Sequence, residues 1–451
     1  VGDGFDMAPD PLDNRYGWSM GQGGNLNYYD RVSGLLHKVR PVHPDGAALR
    51  FNWNAALAID PIDQTVAYYG SQFLHKTNDH GQSWEIISPD LTTDDPSKQD
   101  YKTGGLTYDN TAAENHTTIT AIGPSPKQSG VIWVGTDDGN VQITRNGGED
   151  WTNVVGNMKG LPEISWVTQI QPSTYNAAEA FVVFDNHRNN DWTPLIYHTK
   201  NYGRSWTRLV DENKVEGATL SFVQDAVEPN LMFTGTEFGL WVSIDAGANW
   251  TKWTNGFPTV PVKDLVIHPR ENDLVIGTFG RAAWVLDDIR PLRAMAKSNV
   301  TNQKLTLFAP PTAYQAASQQ PTGSRFGADA MYQGENRRRG AIISYYINKP
   351  AKKKQEKRGK KKDVNSSAAE NSKKTENKIK HDSIKLEIFD GTRKIRTLKF
   401  KTPKENGLHK TTWYLREKGV ARASRRIRKQ TREPGGVTVK PGIYKLKMTF
   451  G

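Results

Sequence analysis

Through the first 290 residues, apolar and polar positions alternate in short runs that close at or near a proline: LAIDP at Pro61, QIQPS at Pro172, DAVEP at Pro229 and LVIHP at Pro269. Period-two alternation predicts half-buried strands. A second apolar run follows and ends on Gly-Ser or Gly-Thr: YYGS at Ser71, IWVGT at Thr136, MFTGT at Thr236 and VIGT at Thr278. After the first three kinds of run comes a motif, Ser/Thr-x-Asp/Asn-x-Gly-x-x-Trp. It occurs four times, with key residues Asp79, Gly81 and Trp84; Asn146, Gly148 and Trp151; Asn201, Gly203 and Trp206; and Asp245, Gly247 and Trp250. The motif predicts a hairpin. Asp or Asn caps its own backbone, Gly supplies a positive φ, and Ser/Thr adds a hydrogen bond. The Trp is expected to bury against the next unit.

One unit therefore reads as four antiparallel strands, a propeller blade. The closing tryptophans fall at 84, 151, 206 and 250, a spacing suited to a propeller or similar array. Six units are predicted, at about 4–50, 51–112, 113–161, 162–216, 217–258 and 259–290. The first has a degenerate hairpin at YYDRVSG, and the sixth lacks the motif. Isolated blades cannot bury both faces, so the array must close. The chain begins already inside the pattern, and this predicts that it is part of a longer polypeptide or complex.

A different pattern follows. IKLEIFD and KIRTLKF flank Asp390-Gly391, a strong hairpin signal, and YKLKMTF alternates apolar and basic residues. These strands predict a small β-sandwich, with Trp413 in its core. Residues 350–382 interrupt it; they are rich in Lys, Glu, Asn and Ser, with almost no large apolar side chain. Such a segment cannot bury enough surface to order itself alone, and a disordered insertion is expected. The fold class is thus all-β: a propeller over 1–292, then an Ig-like sandwich over 293–451.

Composition sharpens this division. The 451 residues carry a net charge of +12. Counted by halves, residues 1–290 hold 21 Lys/Arg and 36 Asp/Glu, a net of −15, and residues 291–451 hold 39 and 12, a net of +27. Twelve of the 13 tryptophans lie in the acidic part. The basic runs have no interleaved aromatics and no nucleic-acid motif, so specific nucleic-acid readout is not expected. A contact with an acidic surface, an anionic glycan or lipid headgroups suits them better, and that contact should be salt-sensitive. There is no cysteine, which removes disulfides, thiolate nucleophiles and Cys-ligated zinc. No run is long and apolar enough for a membrane helix. Serine-hydrolase, zincin and nucleotide-binding motifs are missing, and no metal or cofactor is called for.

Longer strings carry a resemblance. FNWNAALAIDP, ISPDLTTDDPSKQ, GGLTYDNTAAENHTTITAI, IWVGTDDGNVQITRNGG, GTEFGLWVSIDAGANW and VPVKDLVIHPRENDLVIGTFGRAAWVLDDIRPLR resemble the large bacterial BNR/Asp-box repeat family, related to the sortilin-type propeller and often labelled glycosyl hydrolase. LFAPPTAYQ, AIISYYIN and PGIYKLKMTF resemble, more weakly, that family's C-terminal FlgD- or Ig-like sandwich. The resemblance implies a longer protein with a further propeller, in the bacterial envelope: extracellular, cell-surface or periplasmic.

Chemistry in a propeller gathers at one mouth, built by loops leading into first strands and by turns between second and third strands. The first set supplies Trp53, Asn54, His116 and Trp166; the second supplies Asp137, Asp138, His187, Arg188, Glu237 and Arg281. Trp stacks on sugar faces, and carboxylates serve as acid and base, so Asp137, Asp138 and Glu237 are the candidate catalytic groups. A glycosidase needs two carboxylates about 5–10 Å apart. Each residue also has a plain role: Asp137-Asp138-Gly139 is first of all a turn sequence. Two readings remain open. The favoured one is a binding or scaffold propeller that recognises protein, peptide or glycan, with the sandwich as a docking module. The other is a glycoside hydrolase.

Overall fold

A computed structural model describes residues 3–99, 115–315, 337–349, 383–420 and 433–450. The chain divides into two compact units, Val1–Lys297 and Ser298–Gly451. The predicted insertion 350–382 and most of the basic run 421–436 lie outside the described residues.

The first unit is a series of antiparallel sheets laid down in chain order, the blades of an all-β propeller. Blade one contains Gly4–Pro9, Tyr16–Gly21, Asn25–Asp30 and Leu35–Lys38. Blade two contains Leu57–Ile59, Ala67–Gly70, Leu74–Thr77 and Glu85–Ile86. Blade three contains Ile119–Pro124, Ile132–Thr136, Val141–Thr144 and Thr152–Asn153. Blade four contains Trp166–Pro172, Ala180–Asp185, Leu195–Thr199 and Thr207–Arg208. Blade five contains Thr219–Gln224, Met232–Thr236, Gly239–Ser243 and Thr251–Lys252. Blade six has three strands, Val262–Ile267, Leu274–Thr278 and Ala283–Leu286.

Local chemistry repeats with the blades. The turn after the first strand of blades one to four is closed by a short polar side chain. Asp10 accepts from Leu12 N, Asp60 from Ile62 N, Ser125 from Lys127 N and Ser173 from Tyr175 N. These are Asx- and Ser-type turns. The four repeated hairpins between third and fourth strands share one geometry. Thr77 Oγ1 accepts from Gly81 N at 2.9 Å, and Asp79 Oδ1 accepts from Ser83 N at 2.9 Å. Equivalent pairs form at Thr144/Gly148 and Asn146/Asp150, at Thr199/Gly203 and Asn201/Ser205, and at Ser243/Gly247 and Asp245/Asn249.

One expectation about these hairpins is corrected. Their tryptophans pack back on the preceding blade, not forward onto the next. Trp84 joins the blade-one core around Trp18 and Met20, and its indole N–H donates to Val39 O. Trp151 donates likewise to Ile87 O. Trp206 and Trp250 pack on the blade-three and blade-four cores by apolar contact, their indole nitrogens without a partner among the described residues; for Trp84 and Trp151 a further reason lies in the residue that follows the preceding blade's outer strand. Val39 and Ile87 end their strands with carbonyls beyond the ladder, and the indole supplies the missing donor. Gly81, with φ +84°, meets the same Val39: an added Cβ would lie 2.8 Å from it. Gly203 at φ +78° meets Val154 in the same way. Positive φ and lack of space together require glycine there.

The core lies between blades. Each second strand presents an aromatic ring to the following blade: Trp18, Tyr68, Trp133, Phe181 and Phe233, all nearly inaccessible. Blade six places Val275 at this position, by its pairing to Val266 and Val285. The helix Arg290–Lys297 follows blade six. Arg293 reaches back to blade five with a bidentate pair to the fully buried Asp225, at 2.6 and 2.8 Å.

The second unit consists of two three-stranded sheets. One holds Leu305–Leu307, Ala341–Ile347 and Gly407–Trp413; the other holds Arg393–Lys401, Ser383–Asp390 and Lys445–Phe450. A short ribbon, Arg416–Lys418 with Gly435–Thr438, accompanies them. Ile343 and Trp413 from the first sheet meet Leu386, Ile388 and Ile395 from the second in one core, so the sheets form a sandwich. Asp390 pairs with Arg393 across the hairpin, where Gly391 takes φ +60°.

Candidate functional site

The loops leading into first strands and the turns between second and third strands lie at one end of the blades, tied by backbone bonds. Asp137 N donates to Thr118 O, Glu237 N to Ala218 O and Phe279 N to Pro261 O. The four repeated hairpins lie at the other end, where Gly147 N reaches Gly130 O and Ala246 N reaches Asn230 O.

Asp137 and Asp138 begin the blade-three turn and are both buried, at 1% and 3% exposure. Asp137 accepts from Thr118 N at 2.8 Å, Thr118 Oγ1 at 2.5 Å and Asn52 Nδ2 at 3.1 Å. Burial pushes its carboxyl up to about 7, against the pull of these hydrogen bonds. Asp138 accepts from Thr93 N and Thr93 Oγ1 and, through its other oxygen, from Thr136 Oγ1. Asp137 thus fastens the first strand of its own blade to the blade-two loop at Asn52. Asp138 fastens the loop around Thr93. Glu237 stands on blade five, with blade four between it and the aspartates. It is half-buried, and its carboxylate has no hydrogen-bond partner among the described residues.

A second group converges where blades three and four meet. Trp166 opens the first strand of blade four, and the Arg188 guanidinium lies over its ring at 3.8 Å. On the edge of the same ring is His116, at 6.5 Å and 81°. His116 is 3% exposed, and its Nδ1 has no partner among the described residues. Burial lowers its pKa to about 4, so the ring is neutral at pH 7. Arg188 makes no hydrogen bond to any described residue; its nearest carboxylate oxygen is Asp185 Oδ2, at 4.0 Å. Burial also holds its pKa below the ordinary arginine value, while Asp185 and Asp137 oppose that shift. Asp185 spends its oxygens on His187, accepting from the backbone N–H and meeting Nδ1 at 2.7 Å. His187 in turn stacks near Trp192.

The remaining mouth residues stand apart. Trp53 is 40% exposed, donates to Gln22 Oε1 and meets Phe5 edge-on. Asn54 is exposed beside it, and Arg281 is exposed on blade six. Thr118, Thr93 and Trp192 were not singled out from sequence. A threonine in a strand gives no signal of the carboxylate it will hold.

These features define an all-β protein whose mouth carries a built aromatic and cationic cluster. No protein-family model matches the chain, and no characterised protein matches it by sequence. Several solved structures are similar. An enzyme of glycoside hydrolase family 74 from Niastella koreensis matches at 13% identity and TM-score 0.44, over 76% of this chain and 50% of that one. The extracellular domain of a putative hybrid two-component system, BT3049 from B. thetaiotaomicron, matches at 15% identity and TM-score 0.42, over 63% and 33%. YCF48 from Cyanidioschyzon merolae matches at 12% identity and TM-score 0.41, over 63% and 82%. The chain thus spans half the length of the Niastella enzyme. Among the described residues no helix is long and apolar enough to cross a membrane.

Proposed function

We propose that this chain is a binding propeller of the bacterial envelope, in the BNR/Asp-box repeat family, and that it captures a protein, peptide or glycan ligand at the seam of blades three and four. The observation that carries this reading is the Trp166–Arg188–His116 cluster. Trp166 positions a guanidinium whose donors no described side chain or carbonyl uses, next to a buried imidazole nitrogen without a partner. Polar groups held this way are ordinarily satisfied by water or by a ligand. A Trp/Arg pair is also the type of anchor that dominates binding surfaces. The sandwich serves as a docking module, and its basic residues favour anionic partners.

The hydrolase reading rests on Glu237. Asp137 has the raised pKa of a general acid but no access to a substrate, and Asp138 has its oxygens engaged. Of these three carboxylates, that leaves one available where two are needed.

Arrays of glycans and peptides, followed by calorimetry on the strongest hit, test the binding reading. Arg188→Ala and Trp166→Ala should each weaken binding by about tenfold or more, as anchor residues do. Asp245→Ala, at the opposite end of blade five, should leave affinity unchanged. Undiminished binding by both mouth variants would place the ligand elsewhere. Hydrolysis of a glycan by the parent, lost in Glu237→Gln, would instead establish the enzyme.

A further inference from the structure

Among the described residues of the first unit, blades two to five are covered on both faces by neighbouring blades, whereas blade six is covered on one. In blade five, the row Val223–Phe233–Val242 crosses three paired strands and is 8%, 0% and 8% exposed. Blade six covers it: Val262 seats against Gly235, where an added Cβ would lie 2.4 Å from the Val262 carbonyl oxygen. Gly135 receives Val167 of blade four in the same manner, and Gly70 receives Ile119 of blade three. The corresponding row in blade six is Val266–Val275–Val285. Val266 is 53% exposed and Val285 is 55% exposed. Gly277, the counterpart of Gly235, has only its own blade's Asp264 near it. Nearby Phe279 is 71% exposed.

Blade one also has exposed apolar side chains on the face opposite Trp18: Met7 is 65% exposed and Leu36 64%.

We propose that the valine face of blade six is a docking surface for one further blade of the same repeat type, carried by polypeptide outside these 451 residues. The occupant is specified by the repeat itself. At Gly70, Gly135 and Gly235, the residue that fills the notch is a β-branched side chain on the first strand of an antiparallel blade. The notch at Gly277 offers the same shape, and the valine row offers the same apolar cover.

The sequence contains no cysteine, so a single introduced thiol reports on one position. Val285→Cys and Val242→Cys are labelled with a maleimide fluorophore, with thermal melts confirming the fold. In the purified 451-residue chain, Cys at 285 should react freely and Cys at 242 only through local opening. In the protein produced from its native locus with Val285→Cys, labelling should slow by about 100-fold, as for a site that reacts only when the structure opens. A photo-crosslinker at 266 should then capture a segment with alternating strand sequence. Free reaction in the native form overturns the proposal. So does protection in the purified monomer, which would mean that the C-terminal unit covers the face. Protection that grows with the concentration of the purified chain would mean a second copy, and a cross-link to a non-blade segment would mean another kind of partner; either also overturns it.

Discussion

Three buried ionisable side chains set opposing pH terms at the residue scale. Asp137 is raised to about 7, so between pH 4 and 7 the unfolded chain ionises this carboxyl while the folded chain does not. Its contribution to stability therefore falls as pH rises through that window. His75 and His116 are both lowered to about 4 by burial. The unfolded chain protonates them below about 6.5 while the folded chain keeps them neutral, so their contribution falls as pH drops. At about 1.4 kcal/mol per unit, each term is bounded at about 3 to 5 kcal/mol. Asp137→Asn removes the acid term and leaves the histidine terms unopposed. Its denaturant midpoint should rise more steeply from pH 4.5 to 7 than that of the parent. Parallel pH profiles would show that Asp137 ionises normally despite its burial.

The repeated hairpin is the device that matters at the scale of elements. Its Asp or Asn and its Ser/Thr satisfy backbone donors inside an eight-residue loop, and its Gly fits against the preceding blade. Gly203→Ala would force a Cβ to 2.9 Å from three Val154 atoms at a positive φ. We expect a loss of about 1–3 kcal/mol by chemical denaturation. Asp245→Ala removes acceptors for Asn249 N, Asn249 Nδ2 and Ser243 Oγ, a change of about 1 kcal/mol. Because these hairpins lie opposite the mouth, both variants should keep ligand affinity once folded. A loss of affinity without a loss of stability would make the hairpin a binding element.

At the scale of the whole molecule, two units of opposite charge are joined in one chain. Each has its own apolar core, so calorimetry should resolve two unfolding transitions, and 1–297 alone should retain the one that responds to Asp137→Asn. The basic unit should bind a polyanionic matrix such as heparin. Because screening shortens with ionic strength, retention should collapse between about 50 and 500 mM salt. Salt-independent retention would remove electrostatics as the cause.

The sequence alone determined the strand order, the all-β class and the four hairpins, because these depend on local rules: period-two burial, Asx turns and positive-φ glycines act within a few residues. It also marked Trp166, His116 and Arg188 as mouth residues, since loop position follows from strand order. It did not reveal that Arg188 lies on Trp166, nor that Asp137 and Asp138 turn inward to hold Thr118 and Thr93. Those partners are 19 and 45 residues away in the chain, and only packing brings them together. The direction of the hairpin tryptophans was likewise decided in three dimensions, by the preceding blade's core and, for Trp84, by the carbonyl of Val39, 45 residues before it. Which blade faces are covered is a tertiary property of the same kind. The valines of blade six read as buried strand residues in sequence, and only the arrangement of the blades leaves them bare.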